Sequence, residues 1–190
     1  MQIITKGELE DQKKQYVEAI QGGAVFIYPT DTIYGLGCDA TNEAAVARLR
    51  GLKKKPEGPM SVIAPSKQWV KESCYIDNNE IEWLAKLPGP CTLIMRLRNP
   101  EAVSGNVNDN GNTLGIRIPD NWFSQLVAEL GIPIISTSVN ITGGSFMTEM
   151  EDLNSSIKES VDFIIYEGKI QGSPSKIVDL TKKEVKIIER

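Results

Sequence analysis

The chain has 190 residues, 41% of them hydrophobic and 24% charged, with a formal net charge of −4, enough for one self-sufficient core and unlike disordered or fibrous proteins. The acidic balance argues against a protein that coats nucleic acid non-specifically, and the absence of histidine excludes Ser-His and Cys-His nucleophiles, histidine bases and histidine-ligated metals. Cys38, Cys74 and Cys91 are widely spaced and fit reduced thiols rather than a metal site, while the lack of a signal-peptide layout or a membrane-length apolar run sets a cytoplasmic expectation.

Thr5 with Glu8 forms a capping-box pattern that opens a helix to about Gln21, ended by Gly22-Gly23. Ala24–Tyr28 reads as a buried strand, followed by the polar, glycine-bearing run Pro29 to Gly37. Thr41 is expected to cap a helix through Leu52. Met60–Ala64 reads as a strand, and Ser66 as the cap of a short helix. Asp77 and Glu80 repeat the capping-box spacing before a helix that Pro88-Gly89-Pro90 stops. Cys91–Arg98 and Thr113–Ile118 are predicted strands separated by the Asn/Gly/Asp-rich loop 104–112. Asp120 is expected to cap a helix to about Leu130, Pro133–Ser138 to form a strand, Asn140–Ser145 a polar turn, and 149–160 a helix. Phe163–Tyr166, Ile177–Leu180 and Val185–Ile188 complete the chain as short strands. With no internal repeat or linker, the pattern predicts one α/β domain over residues 1–190, built on a mixed sheet.

Four polar clusters fall at predicted element ends: Thr30 to Thr32, Lys53 to Lys55, Ser136 to Asn140, and Ser173 to Lys176. Singly, each is ordinary turn, cap or solvated-face chemistry. Arg48, Arg50, Lys53, Lys54 and Lys55 also place five cations within eight residues, before Pro56. Arg117, among isoleucines in Gly115-Ile116-Arg117-Ile118, is either on an exposed strand face or reaching into a polar cavity. Together, donor-rich strand ends and cations describe an anion site, with no Walker A loop or dinucleotide fingerprint present.

The chain resembles the YrdC family of threonylcarbamoyl-AMP synthases from about Gly22 to Arg190. The carriers are Tyr28-Pro-Thr-Asp-Thr-Ile-Tyr-Gly-Leu-Gly, Leu52-Lys-Lys-Lys-Pro56, Pro88-Gly-Pro-Cys-Thr-Leu93, Gly115-Ile-Arg-Ile-Pro119, Ser136-Thr-Ser-Val-Asn140 and Pro174-Ser-Lys-Ile-Val-Asp179. The resemblance implies an open, twisted α/β sheet with flanking helices and a basic concave cavity, in a short form with no additional C-terminal domain. It implies synthesis of threonylcarbamoyl-AMP from L-threonine, bicarbonate and ATP with release of pyrophosphate, for modification of tRNA adenosine. Mg2+ would accompany the ATP; contact with tRNA and delivery to a downstream tRNA-modifying transferase complex are further implications. By the same matching, Lys53 and Lys55 act electrostatically with no covalent nucleophile. Thr32, Arg117, Ser136 and Ser175 face threonine; Lys55, Thr113, Ser138, Asn140, Ser145 and Arg190 face the nucleotide; no protein side chain is expected to ligate a metal.

Three positions depart from the family: Lys55 replaces an arginine and so loses its planar fork, Ile63 stands where some members carry histidine, and Lys176 stands where threonine is common. Two other activities remain open: an RNA-binding module of the same fold, against which the acidic pI near 5.1 counts, and a relative forming carbamoyl-adenylate from carbamoyl phosphate. A paralogue that kept the fold and lost activity is a third.

Overall fold

The computed structural model describes residues 1–109 and 111–189. Ten short strands form one mixed sheet: β1 (Gln2–Ile4), β2 (Phe26–Tyr28), β3 (Gly35–Gly37), β4 (Ser61–Ile63), β5 (Cys91–Arg96), β6 (Thr113–Arg117), β7 (Ile134–Ser138), β8 (Phe163–Ile165), β9 (Lys176–Asp179) and β10 (Lys186–Ile188), in the spatial order β1-β8-β2-β3-β7-β4-β6-β5-β9-β10. β1, β8 and β2 run parallel, as do β4 with β6 and β5 with β9; the other neighbours are antiparallel. β7 sits at the centre, pairing residues 134–136 with β4 and 137–138 with β3.

Among the described residues seven α-helices flank the sheet: α1 (Lys6–Asp11), α2 (Lys13–Gln21), α3 (Glu43–Lys53), α4 (Lys67–Ser73), α5 (Asn78–Ala85), α6 (Phe123–Leu130) and α7 (Ser155–Ser160). Strand alternation sorts the two faces. Ile27, Leu36, Val62, Leu93, Leu114, Ile116 and Ile135 join Val46 and Leu49 of α3, Val70 of α4, Leu84 of α5 and Ile157 of α7 in one core. Phe26, Tyr28, Ile63, Ile134, Phe163 and Ile165 join Leu9 of α1, Tyr16 and Ile20 of α2, and Phe123, Leu126 and Val127 of α6 in a second. That second layer covers only part of its face. Beyond it, β6 presents Thr113, Gly115 and Arg117, β5 presents Thr92 and Ile94, and β7 presents Ser136 and Ser138, and these residues line a cavity. None of the described helices is long and apolar enough to cross a membrane.

The Thr5–Glu8 capping box and the Ser66 cap form as expected. Other expectations need correction. The first helix breaks at Gln12 into α1 and α2. Asn42, not Thr41, caps α3, because the Thr41 hydroxyl and N–H both donate to Asp39. Asp120 caps nothing: α6 starts after Trp122, which makes no side-chain cap, and the Asp120 N–H donates to Asp31. The segment 149–160 is a 3-10 turn (Met150–Asp152) and α7, separated at Leu153-Asn154, with Asn154 capping the helix. β1 and β3 lie in segments with no expected strand. Gly-Leu-Gly forms β3 because a large side chain needs the space: a Cβ on Gly35 or Gly37 would lie 2.6 or 2.7 Å from the Tyr28 ring. Tyr28 lies across both glycines, stacks on Phe123 with centroids 4.2 Å apart, and donates its hydroxyl to the Ile135 carbonyl at 2.9 Å.

Candidate functional site

The uncovered part of the second face, together with the loops at its edge, encloses a cavity of about 400 Å³. Its floor is β6, β5, β7, Ser61 of β4 and Ile177 of β9; its walls are Thr30 with Ile33, Tyr34 and Gly35, Lys55 with Pro59 and Met60, and Pro174 with Ser175. Among the described lining residues two are cations, Lys55 and Arg117, and none is a carboxylate, while eight carry hydroxyls on serine or threonine: Thr30, Ser61, Thr92, Thr113, Ser136, Thr137, Ser138 and Ser175. Such a surface suits an oxyanion ligand. Gly115 keeps the floor low: a Cβ there would meet the Ser61 hydroxyl at 2.4 Å.

Arg117 settles the choice left open by alternation, for it is 5% exposed and points into the cavity wall. One guanidinium nitrogen donates to Asp31, to the Thr32 hydroxyl at 2.6 Å and to the Thr30 hydroxyl at 3.4 Å. Asp31 also accepts the Asp120 N–H at 3.0 Å, so the 30–32 loop and the end of β6 are locked together. The Arg117 Nε is buried with no partner among the described residues, an unusual state for a charged donor and one that a ligand oxygen would satisfy. Opposite it, the Thr92 and Ser175 hydroxyls share a 2.8 Å hydrogen bond.

At the other end, Lys55 Nζ donates to the Pro59 carbonyl at 2.8 Å. Its pKa is lowered by burial and then by the neighbouring Arg50, with Asp109 opposing. Arg50 is a brace: it donates to the carbonyls of Asn106, Lys55 and Gly58 and to Asp109, tying the Lys55 loop to the 106–109 turn.

Six expected site residues, Lys55, Thr113, Arg117, Ser136, Ser138 and Ser175, therefore line one cavity. Thr32 is buried directly behind them on Arg117. Lys53 stands elsewhere than an electrostatic contact to ligand requires. It is 3% exposed, outside the lining, and its ammonium donates to the Ser138 carbonyl at 2.6 Å and to the Asn140 carbonyl and side-chain oxygen at 2.9 Å each. The last turn of α3 faces the turn after β7, so all three of its protons are used in holding that turn. Burial, with a smaller contribution from Lys55, pulls its pKa down to about 8. Asn140 also lies outside the lining, accepting the Ser138 hydroxyl at 2.7 Å and donating to the Gly144 carbonyl. Ser145 is exposed and away from the lining residues, and Arg190 lies outside the described residues. Sequence reasoning passed over Ser61, Thr92 and Tyr34 as individual site residues; the serine and threonine gave no signal beyond strand alternation onto the floor, and Tyr34 stood only inside a motif.

The Sua5_yciO_yrdC family model, described as telomere recombination, matches residues 18–190. A relative named threonylcarbamoyl-AMP synthase, from Photobacterium profundum, is 32% identical over 179 residues, covering 89% of this chain and 94% of its own. The structure of E. coli YciO superposes with a TM-score of 0.80 at 27% identity, covering 92% of this chain and 86% of that one. The structure of P. abyssi Sua5 complexed with L-threonine gives a TM-score of 0.78 at 28% identity over 90% of this chain. The match spans about half of that Sua5 chain, 51%.

Proposed function

Because this chain belongs to the Sua5/YciO/YrdC family, we propose that it makes threonylcarbamoyl-AMP from L-threonine, bicarbonate and ATP, releasing pyrophosphate, for the modification of tRNA adenosine. The observation that carries this reading is the convergence of Lys55, Thr113, Arg117, Ser136, Ser138 and Ser175, from four separate segments, on one cavity whose described lining holds two cations and no carboxylate. The L-threonine complex of the Sua5 relative and the name of the P. profundum relative support the substrate and the reaction.

In this reading the threonine carboxylate meets Arg117 and the hydroxyls of Ser136 and Ser175, and the ATP phosphates meet Lys55, Thr113 and Ser138. The threonine amine adds to bicarbonate with loss of water to give a carbamate. A carbamate oxygen then attacks the α-phosphorus as the bond to pyrophosphate breaks. Every partner is an anion or becomes one, so the protein's contribution is gathering and charge compensation, without a covalent nucleophile. Lys53 serves at one remove by fixing the backbone that carries Ser138. Mg2+ would come with ATP: hydroxyl oxygens without lining carboxylates suit an ion held mainly by phosphates and water. As a nucleotidyltransferase the protein would pass its product to a tRNA-modifying transferase complex.

The test is pyrophosphate release by the purified protein. It is expected to require both L-threonine and bicarbonate; equal turnover without threonine, or with carbamoyl phosphate in place of both, refutes this reading.

A further inference from the structure

The sheet order places β8 second and β9 ninth, yet only residues 166–175 connect them. Seven strand spacings of about 4.8 Å make roughly 34 Å of sheet, and eleven Cα steps from Ile165 to Lys176 reach at most roughly 36–40 Å fully extended. Curling of the sheet shortens the path; the connection is nonetheless short for strands seven places apart, and its last residues, Pro174 and Ser175, are a wall of the cavity.

Several contacts hold it; among them the Trp122 indole N–H donates to the Glu167 carboxylate at 2.9 Å and the Lys169 ammonium donates to Glu149 at 2.7 Å. The Tyr34 hydroxyl donates to the Gly168 carbonyl at 2.7 Å and accepts the Glu167 N–H at 3.0 Å. The Ile170 N–H donates to the Thr148 carbonyl at 2.9 Å. Gly172 passes so close to Thr32 that a Cβ would lie 2.1 Å from the Thr32 carbonyl oxygen. Tyr34 is itself fully buried, stacks on Tyr166 at 5.6 Å between centroids, and lines the cavity. Its phenol is thus the point where the cavity wall and the crossing segment meet.

We infer that Tyr34 is a positioning residue: its phenol clamps the β8–β9 connection and thereby sets Ser175 against Thr92 at the amino-acid end of the cavity. The inference rests on the proposed role of Ser175. The hydroxyl is used as donor and acceptor at once, which fixes both the height and the direction of the connection at Glu167-Gly168. Ser175 lies only seven positions beyond Gly168, so in this inference a displaced clamp shifts Ser175 despite the intervening contacts of Ile170 and Gly172.

Two variants test it. Tyr34→Phe keeps the ring and loses the hydroxyl; Gly172→Ala displaces the same connection without touching Tyr34. The connection carries an exposed lysine, Lys169, so its opening is read by trypsin cleavage at that bond, followed by mass spectrometry at a temperature where urea titration shows both variants folded. Local opening exposes the bond in proportion to its population. Cleavage about tenfold faster than wild type is expected in both variants, with L-threonine affinity by calorimetry about tenfold weaker and ATP affinity within threefold of wild type. Wild-type cleavage in Tyr34→Phe overturns the clamp. Faster cleavage with unchanged threonine affinity, or with ATP affinity falling equally, overturns the positioning of Ser175. If wild type binds no threonine, the functional reading fails separately, and the cleavage rates alone uphold or overturn the clamp.

Discussion

The ammonium of Lys53 donates to the backbone carbonyl of Ser138 at 2.6 Å, joining the end of α3 to the strand whose side chain lines the cavity. Lys53→Met removes three hydrogen bonds to the Ser138 and Asn140 oxygens, and a loss of roughly 1–3 kcal/mol in stability is expected from urea denaturation. ATP affinity should fall as well, because the Ser138 backbone loses its support. Unchanged stability would show that water reaches those oxygens.

The same residue sets a pH dependence. Its pKa is about 8 in the folded protein against the ordinary lysine value of 10.5, so between those values the unfolded chain binds more protons. Stability from this group therefore rises with pH in that window; below about pH 8 the burial penalty on the charged form is fully present. The wild-type urea midpoint, minus that of Lys53→Met, should increase from pH 8 to 10. A flat or falling difference would mean that the three carbonyl-type acceptors hold the proton more firmly than burial expels it.

Lys55 and Lys54 are neighbours with different predicted behaviour. Lys55 lines the cavity and Lys54 does not. Lys55→Ala should weaken ATP binding by ten- to a hundredfold, the worth of one charge-assisted hydrogen bond of roughly 1.5–3 kcal/mol, with threonine binding little changed; Lys55→Arg should be tolerated. Calorimetric titration with Lys54→Ala as control decides, and equal ATP affinity in the two alanine variants would remove Lys55 from the site.

Asp31 is the counter-charge of a buried arginine. Asp31→Ala leaves Arg117 with hydroxyl partners only, and a loss of about 3–5 kcal/mol is expected from thermal or chemical unfolding, as for other buried pairs broken on one side. A loss below about 1 kcal/mol would show that solvent already reaches the guanidinium.

Gly35→Ala places a methyl group 2.6 Å from the Tyr28 ring. Both ring faces are confined, by Phe123 and by β3, so the overlap should destabilise the fold by roughly 1–3 kcal/mol. Comparison of Tm with that of Gly51→Ala, where a Cβ meets nothing within 4 Å, isolates the steric contribution.

Local chemistry was legible where it acts over three or four residues. Thr5 with Glu8, Ser66 and the apolar run ending at Tyr28 wrote their elements directly into the sequence. Where neighbours compete, the reading slipped: Thr41 and Asn42 are both good caps, and only the position of Asp39 decides between them. β3 had no strand signal at all, since its glycines answer to a ring on the next strand. In the site, Arg117, Ser136, Ser138 and Ser175 fell at strand ends and could be grouped, whereas Lys53 could not be separated from Lys55 because a helix turn hides which of two lysines faces the cavity. The clamp by Tyr34 joins residues 133 and 134 positions apart, and nothing in local spacing records such a bond.

The partial cover of the second face has a thermodynamic corollary. A sheet this size would be more stable with an apolar layer over β5 and β6, yet the chain leaves hydroxyls, a bare glycine and an unsatisfied guanidinium nitrogen there. On the proposed function, bound substrate covers that part of the face, and occupancy should raise stability by RT ln(1 + [L]/Kd), about 2.7 kcal/mol at a hundredfold excess over Kd.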